Sequence, residues 1–399
     1  MQVTNPDPLA APRSRIPRRF RRLDEEYVEG NRIRLLRNGR EAYPAMLAAI
    51  RGATRQVLLE MYWFDSDRTG RKFADALKEA ASRGVEVAVI YDALGSITAD
   101  GALFEELRRA DVRVLEFNPI APWKRRFRLG RLTRRDHRKL LVIDGEIGFT
   151  GGINIANPWL PTEEEGNGWR DDMVCIEGPA VARLAAMFFQ AWEREQGEPL
   201  RRLGWSRKLG DDGEIPGGQR VRVLGENFFR NRHEIARAYI SHLYRAERRA
   251  WISNSYFVPD PSVRRALVQA AQRGVDVRIV VPAQSDIEIV RHASRAVWGR
   301  LLRHGVRIFE WQGSILHSKT AVIDGRWSTL GTFNLDYLSV RWNLEVNVTV
   351  LDEGFGSKME ASFLADLEDS REVDPSTFRF RPLSDRLLEA VLYRFRKLM

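Results

Sequence analysis

The chain repeats itself. Leu77-Lys78-Glu79-Ala80-Ala81-Ser82-Arg83-Gly84-Val85-Glu86-Val87 returns as Leu267-Val268-Gln269-Ala270-Ala271-Gln272-Arg273-Gly274-Val275-Asp276-Val277. Each copy closes an amphipathic helix, places glycine where a C-terminal cap belongs, and enters a Val-rich strand. A second echo sets Ala110-Asp111-Val112-Arg113-Val114 against His304-Gly305-Val306-Arg307-Ile308. Repeated helix-then-strand units predict an α/β fold with mixed, largely parallel sheets. A repeat this long predicts two pseudo-symmetric halves. Residues 197–219, rich in glycine among charges, read as the linker, with the boundary near residue 210. The expected organisation is a basic N-terminal arm at 1–30, a first half at 31–205, a second half at 206–380 and an amphipathic basic helix at 381–399. Two later apolar stripes, Val181, Leu184, Met187, Phe188 and Trp192, and then Met359, Phe363, Leu364 and Leu367, read as core packing.

The duplication also carries a motif. His137-Arg138-Lys139, Asp144 and Gly151-Gly152-Ile153-Asn154 match His317-Ser318-Lys319, Asp324 and Gly331-Thr332-Phe333-Asn334 at the same spacings. The chain holds only eight lysines and six histidines, so a doubled chance match is implausible. Leu140-Leu141-Val142-Ile143 and Thr320-Ala321-Val322-Ile323 are short β-type runs, each meeting an Asp-Gly pair that marks a hairpin. His and Lys two apart on an extended segment project to the same side. Two such pairs at a pseudo-twofold axis make one pocket with two imidazoles, two ammoniums and two Asn amides. That set suits a phosphodiester. One imidazole attacks phosphorus, and the other protonates the leaving oxygen. Lys139, Lys319, Asn154 and Asn334 hold the non-bridging oxygens. The intermediate is a phosphohistidine, and neither a metal nor a cofactor is called for.

Asp144 and Asp324 belong to the motif and so to the candidate catalytic set, but an Asp in an Asp-Gly turn usually serves the turn, which is the role favoured for them. A catalytic histidine needs its other ring nitrogen held. Asp171 and Glu345, 34 and 28 residues after the histidine of their own half, are the candidates, with Asp172 a close competitor to Asp171. His233, His242, His292 and His304 lack the motif context and read as structural or surface residues. Cys175, the only cysteine, sits in an apolar run and reads as core.

The doubled motif with its trailing Gly-x-x-Asn resembles the phospholipase D superfamily over nearly the whole chain. Arg134-Arg135-Asp136-His137-Arg138-Lys139, Thr150-Gly151-Gly152-Ile153-Asn154, Leu59-Glu60-Met61-Tyr62-Trp63-Phe64 and Asn254-Ser255-Tyr256-Phe257-Val258-Pro259 are similar, more narrowly, to the bacterial cardiolipin synthases, and to their class B type without N-terminal transmembrane helices. The resemblance implies α/β/α sandwich halves with one active site at their interface, and phosphatidyl transfer from a donor such as phosphatidylglycerol to a lipid hydroxyl. It makes His137 the nucleophile and His317 the general acid, then base. It also sets Glu60 and Asn254 at matching repeat positions lining the pocket. Many members carry Ser after the motif glycine, where this chain has Gly152 and Thr332.

A net charge of +10 asks for an anionic partner without choosing among nucleic acid, membrane and phosphorylated substrate. No apolar run is long enough to span a bilayer. Residues 118–136, an insertion absent from the second half, interleave Trp123, Phe127, Leu129 and Leu132 with seven cations. Leu387, Leu388, Val391, Leu392, Phe395 and Leu398 share one face of a basic C-terminal helix. Together these favour an anionic phospholipid membrane over nucleic acid, and a peripheral location on the cytoplasmic face of a bacterial cell membrane. Phospholipid hydrolysis and nuclease activity stay open as alternatives. One chain already supplies both motifs, so a monomer suffices.

Overall fold

The computed structural model describes residues 26–124, 126–195, 197–203, 218–226 and 233–396. The bulk of the basic N-terminal arm, the linker around residue 210 and the last three residues lie outside them. In chain order the first half runs β1 (Val28–Arg37), α1 (Asn38–Gly52), β2 (Gln56–Met61), α2 (Arg68–Ser82), β3 (Glu86–Asp92), α3 (Gly101–Arg109), β4 (Arg113–Phe117), β5 (Lys139–Ile143), β6 (Ile147–Gly151), β7 (Asp172–Glu177) and α4 (Val181–Arg194). The second runs β8 (Gln219–Glu226), α5 (Glu234–Arg245), β9 (Arg249–Asn254), α6 (Pro261–Gln272), β10 (Asp276–Pro282), α7 (Glu288–Leu302), β11 (Arg307–Trp311), β12 (Lys319–Ile323), β13 (Trp327–Gly331), α8 (Tyr337–Arg341), β14 (Glu345–Leu351) and α9 (Glu353–Glu368). A short strand β15 (Ser370–Glu372) and helices α10 (Pro375–Arg379) and α11 (Leu383–Arg394) complete the order.

The strands form one sheet of fifteen, ordered β15-β11-β10-β9-β12-β13-β14-β8-β1-β7-β6-β5-β2-β3-β4. Read outwards from the β8–β1 junction, the two sides have the same order apart from the extra edge strand β15, so the duplication becomes a pseudo-twofold axis at that seam. The mixed α/β character agrees with the sequence reading, but the expectation of largely parallel strands does not hold. Parallel pairing is confined to β2-β3-β4 and β9-β10-β11, where helices make the crossovers. The remaining pairs are antiparallel, and among them the two motif hairpins, β5–β6 and β12–β13, can only return that way.

Local chemistry is the same in both halves. Gly84 and Gly274 take φ of +82° and +89°, closing α2 and α6 with paired bonds from Gly84 N to Ala81 O and Val85 N to Ala80 O, and their equivalents at Gly274 and Val275. Asp144-Gly145 and Asp324-Gly325 both take positive φ throughout, which is the primed turn that matches strand twist.

Helices cover both faces of the sheet. On one face, α1–α3 and α5–α7 bury separate cores, around Phe73 and Leu77 and around Tyr239 and Leu267. On the other, α4 and α9 share a single core that runs from Leu58, Val142 and Phe188 across the seam to Trp251, Val348 and Phe363. That shared layer makes the halves one packed body. Helix α11 packs on α7, and its buried Glu389 is held by Arg295 and Arg381. Its opposite face is open, with Leu383, Leu387, Leu388, Val391 and Phe395 exposed. Among the described residues no helix is long and apolar enough to cross a membrane.

Candidate active site

The two motif segments meet at the seam. Each is zipped by backbone hydrogen bonds to a segment of the opposite half. His137 N–H donates to Leu344 O (3.0 Å) and Leu344 N–H to Arg135 O (2.9 Å). On the other side His317 N–H donates to Arg170 O (2.8 Å) and Arg170 N–H to Ile315 O (2.9 Å). This exchange lays each histidine beside the carboxylate that comes next in the opposite half.

Glu345 therefore holds His137, with its carboxylate 3.0 Å from Nδ1, and Asp171 holds His317 at 2.7 Å. Both acids singled out in the sequence stand beside a motif histidine, but with their partners exchanged. Each orients the histidine of the other half, not of its own. Asp172 does not compete. Its carboxylate accepts from Ser318 Oγ (2.7 Å) and pairs with Arg170 (2.8 Å). The Asp171 carboxylate is itself fixed by the Trp159 indole N–H (3.0 Å), and Glu345 by Asn343 Nδ2 (3.2 Å) and the Thr332 hydroxyl (2.5 Å). The Thr332/Gly152 asymmetry has a steric cause. A Cβ on Gly152 would lie 2.2 Å from Asp171 Oδ1, so the shorter Asp171 occupies the space that a hydroxyl side chain would need.

Burial dominates the electrostatics. It pushes His137 down to about 4, against the pull of Glu345, and it lowers His317 as well, helped by the Lys319 charge. Both rings are then neutral near pH 7. With each Nδ1–H donated to a carboxylate, Nε2 carries the lone pair. Lys319 Nζ also approaches His317 Nδ1 (3.0 Å), but that nitrogen has one proton to place and the closer carboxylate takes it. Burial would raise Asp171 and Glu345, yet the facing histidines and lysines hold both below the ordinary carboxylate range. Lys139 is brought down to about 7 and Lys319 to about 8, again by burial first. Both ammoniums donate to the carbonyl of their own motif histidine. Tyr62 lies 5.0 Å from Lys139 Nζ and sits edge-on to the His137 ring.

His137, His317, Asn154 and Asn334 all line one cavity of about 610 Å³. Asn154 accepts from Trp63 N–H (3.1 Å) and Asn334 from the Ser255 hydroxyl (2.8 Å). With its oxygen spent in this way, each amide has its N–H₂ left to donate. Trp63, Trp159, Trp169, Ile287, Leu338 and Phe395 make much of the remaining wall.

Asp144 and Asp324 stand elsewhere. Each is at the far end of a five-residue strand from the motif lysine, roughly 16 Å away at strand rise. Asp144 accepts from the N–H groups of Thr54, Arg55 and Gln56, and Asp324 from those of Glu247, Arg248 and Arg249. They bolt the hairpin turn to the loop entering β2 or β9. Their place in a catalytic set is corrected accordingly, and the turn role is what remains.

Glu60 and Asn254 are corrected too. Asn254 pairs in register with Lys319, but the residue opposite Lys139 is Met61, so Glu60 is displaced by one position. A one-residue shift on a strand reverses the face. Glu60 thus points towards α4 and pairs with Arg138 (2.5 Å), which also binds Asp136 (3.2 Å). Asn254 accepts from Leu335 N–H (3.1 Å), steadying the turn that carries Asn334. Neither lines the cavity. In the insertion Arg135 is buried against Asp92 (3.1 Å) and Lys124 pairs with Glu116 (2.6 Å), while Trp123 and Leu129 are exposed.

Comparison with solved structures finds the same fold in another enzyme. Phosphatidylserine synthase of Haemophilus influenzae Rd KW20 superposes with a TM-score of 0.71 over 94% of this chain and 97% of that one, at 14% identity, so the likeness is one of fold. A family model described as cardiolipin synthase, PLD-like domain, matches residues 46–192 and 239–367. Curated cardiolipin synthases of Geobacillus sp. (strain WCH70) and Geobacillus thermodenitrificans (strain NG80-2) are 36% identical over 360 residues and 35% over 357, covering 90% of this chain and 70% of each relative. The chain belongs to the cardiolipin synthase family and is a phosphatidyltransferase of phospholipase D type.

Proposed function

We propose that this phosphatidyltransferase makes cardiolipin from two molecules of phosphatidylglycerol by two displacements at phosphorus. His137 Nε2 attacks the donor phosphorus, a nitrogen–phosphorus bond forms, and the bond to the headgroup glycerol breaks. His317 gives that oxygen its proton, so glycerol leaves neutral. The incoming phosphodiester anion supplies the field that protonates His317 first, offsetting its burial. In the second step His317 Nε2 takes the proton of an acceptor hydroxyl. That oxygen attacks phosphorus and His137 is released. Lys139, Lys319, Asn154 and Asn334 carry the charge that builds on the non-bridging oxygens. Asp171 and Glu345 keep both rings in the tautomer with Nε2 free.

The observation that carries this reading is the single cavity reached by both histidines and walled by tryptophan and aliphatic side chains. A lipid phosphodiester brings acyl chains that such walls accept, whereas a nucleic acid strand asks for a cationic groove. The exposed apolar face of α11 continues into this cavity through Phe395, which follows the helix, is exposed and lines the cavity wall. It supports peripheral docking, with the mouth of the site against the cytoplasmic face of an anionic membrane.

Purified protein with phosphatidylglycerol vesicles is the test. The expected products are cardiolipin and one free glycerol per cardiolipin, by mass spectrometry. Phosphatidic acid as the only lipid product would instead make the enzyme a hydrolase.

A further inference from the structure

A second cavity, of about 420 Å³, backs onto the catalytic one. The two share Asp336 and part around it. Leu338 and Phe395 face the catalytic cavity, while Tyr337 and Arg396 face the second. Three guanidiniums line the second cavity: Arg237 on α5, Arg341 at the end of α8 and Arg396 just past α11. His233 lies beside them.

The charge balance of this cavity is unusual for the chain. Elsewhere arginines are commonly paired, as Arg222 is with Glu234 and Arg295 with Glu310. Among the described residues Arg237 and Arg341 have no carboxylate partner. Arg396 donates to the Tyr393 carbonyl (3.2 Å) and lies over that ring. The two carboxylates in the wall are already engaged. Asp260 caps α6 through Ser262 N–H (2.5 Å), and Asp336 caps α8 through Ser339 N–H (2.8 Å). Burial also pushes Asp336 up to about 7, which weakens its negative charge further. The uncompensated charge facing the cavity is cationic, and guanidinium forks suit phosphate oxygens.

We propose that this cavity seats the phosphodiester of the acceptor lipid. The inference rests on the phosphatidyl-transfer reading and assigns the second substrate of the same site. An acceptor phosphatidylglycerol carries its own phosphate at the other end of the glycerol whose hydroxyl attacks. When that hydroxyl reaches phosphorus beside His137 and His317, the acceptor phosphate must lie one glycerol length away. The arginine cavity adjoins the catalytic one at Asp336 and is the seat this reading gives that phosphate. It also makes the site select a phosphorylated alcohol over water or a simple alcohol, because only the former gains the arginine contacts.

The test compares two acceptors with one donor. Full-length protein in mixed micelles is given phosphatidylglycerol alone, or phosphatidylglycerol with 1-butanol, and cardiolipin and phosphatidylbutanol are both measured. In the Arg237→Ala/Arg341→Ala chain, cardiolipin formation should fall by at least about tenfold, the loss expected for charge-assisted contacts. Phosphatidylbutanol formation and the melting temperature should hold. An equal fall in both products, or no fall in cardiolipin, overturns the proposal. Wild-type protein that makes neither product refutes the transfer reading itself, so the two failures are distinct. Calorimetric titration of the His317→Ala chain separates a lipid headgroup from a free anion. Binding of a second dihexanoyl phosphatidylglycerol that is lost with the two arginine substitutions supports the acceptor seat. Binding of inorganic phosphate alone overturns it.

Discussion

Glu345→Gln should disable a histidine in the other half of the molecule. The Glu345 carboxylate accepts the Nδ1 proton of His137 at 3.0 Å, and Thr332 and Asn343 donate to it from the other side. A glutamine keeps the volume and the Thr332 contact but loses the charge. A hydrogen bond to a charged group contributes about 1.5–3 kcal/mol, so weaker support of the charged ring slows phosphorus attack by roughly 10- to 150-fold. If the new amide N–H turns towards His137, the ring must accept at Nδ1 and carry its proton on Nε2. The nucleophile is then blocked, and the loss approaches the ~10⁴-fold known for such tautomer errors. The assay is rapid-quench trapping of radiolabelled phosphatidyl-enzyme with peptide mapping. Adduct at His137 should form slowly in the variant, with melting behaviour and vesicle binding intact. Asp171→Asn should slow the same displacement from its other side, by weakening His317 as the proton donor to the departing glycerol. Adduct formation within about twofold of wild type in Glu345→Gln would refute the crossed positioning as a catalytic device.

The lysines and His137 together set a pH window. Burial lowers His137 to about 4, so the neutral ring exists above that pH, while Lys139 and Lys319 lose their charge as pH rises through about 7 and about 8. The kcat/KM profile should therefore rise above pH 4 and fall above 7–8. The descending limb of kcat should move to higher pH, because a bound phosphodiester favours the ammonium form. A kcat/KM plateau reaching past about pH 9 would rule out the lowered lysines. Arg170→Met removes the guanidinium that pairs with Asp366 across the seam (2.7 Å) and with Asp172 in its own half (2.8 Å), leaving Arg37 as the one cation on Asp366 among the described residues. A loss of about 3–5 kcal/mol in urea unfolding is expected, and an unchanged midpoint would contradict the pairing.

Much of the site is legible in the sequence because repetition supplies an internal control. The matching places of His137 and His317, of Lys139 and Lys319, and of Asn154 and Asn334 single them out without any other sequence. The Asp-Gly turns are legible for the same reason, since a primed turn demands particular residues. The exchange of carboxylates is not. Spacing counts residues along one half, whereas the pairing of Leu344 with Arg135 and of Arg170 with Ile315 is a contact between halves. Glu60 is misplaced because Tyr62 and Tyr256 invite an alignment one position away from the true strand register. The parallel expectation comes from helix-strand alternation, which describes the outer strands and ignores the hairpins beside the seam. Periodicity cannot settle the role of α11 either. It packs one face on α7 and shows the other to solvent, and an amphipathic pattern fits both.

The crossed carboxylates also order events in time. Translation runs from the N-terminus, so the first half, with His137 and Lys139, is synthesised before Glu345 exists. Until the second half arrives, His137 has no acceptor for its Nδ1 proton and no Lys319 across the pocket. His317, made later, finds Asp171 already waiting. The proposed nucleophile is thus armed last, by the segment that also zips the halves together. On the proposed mechanism, a nascent chain is chemically silent until the fold is complete.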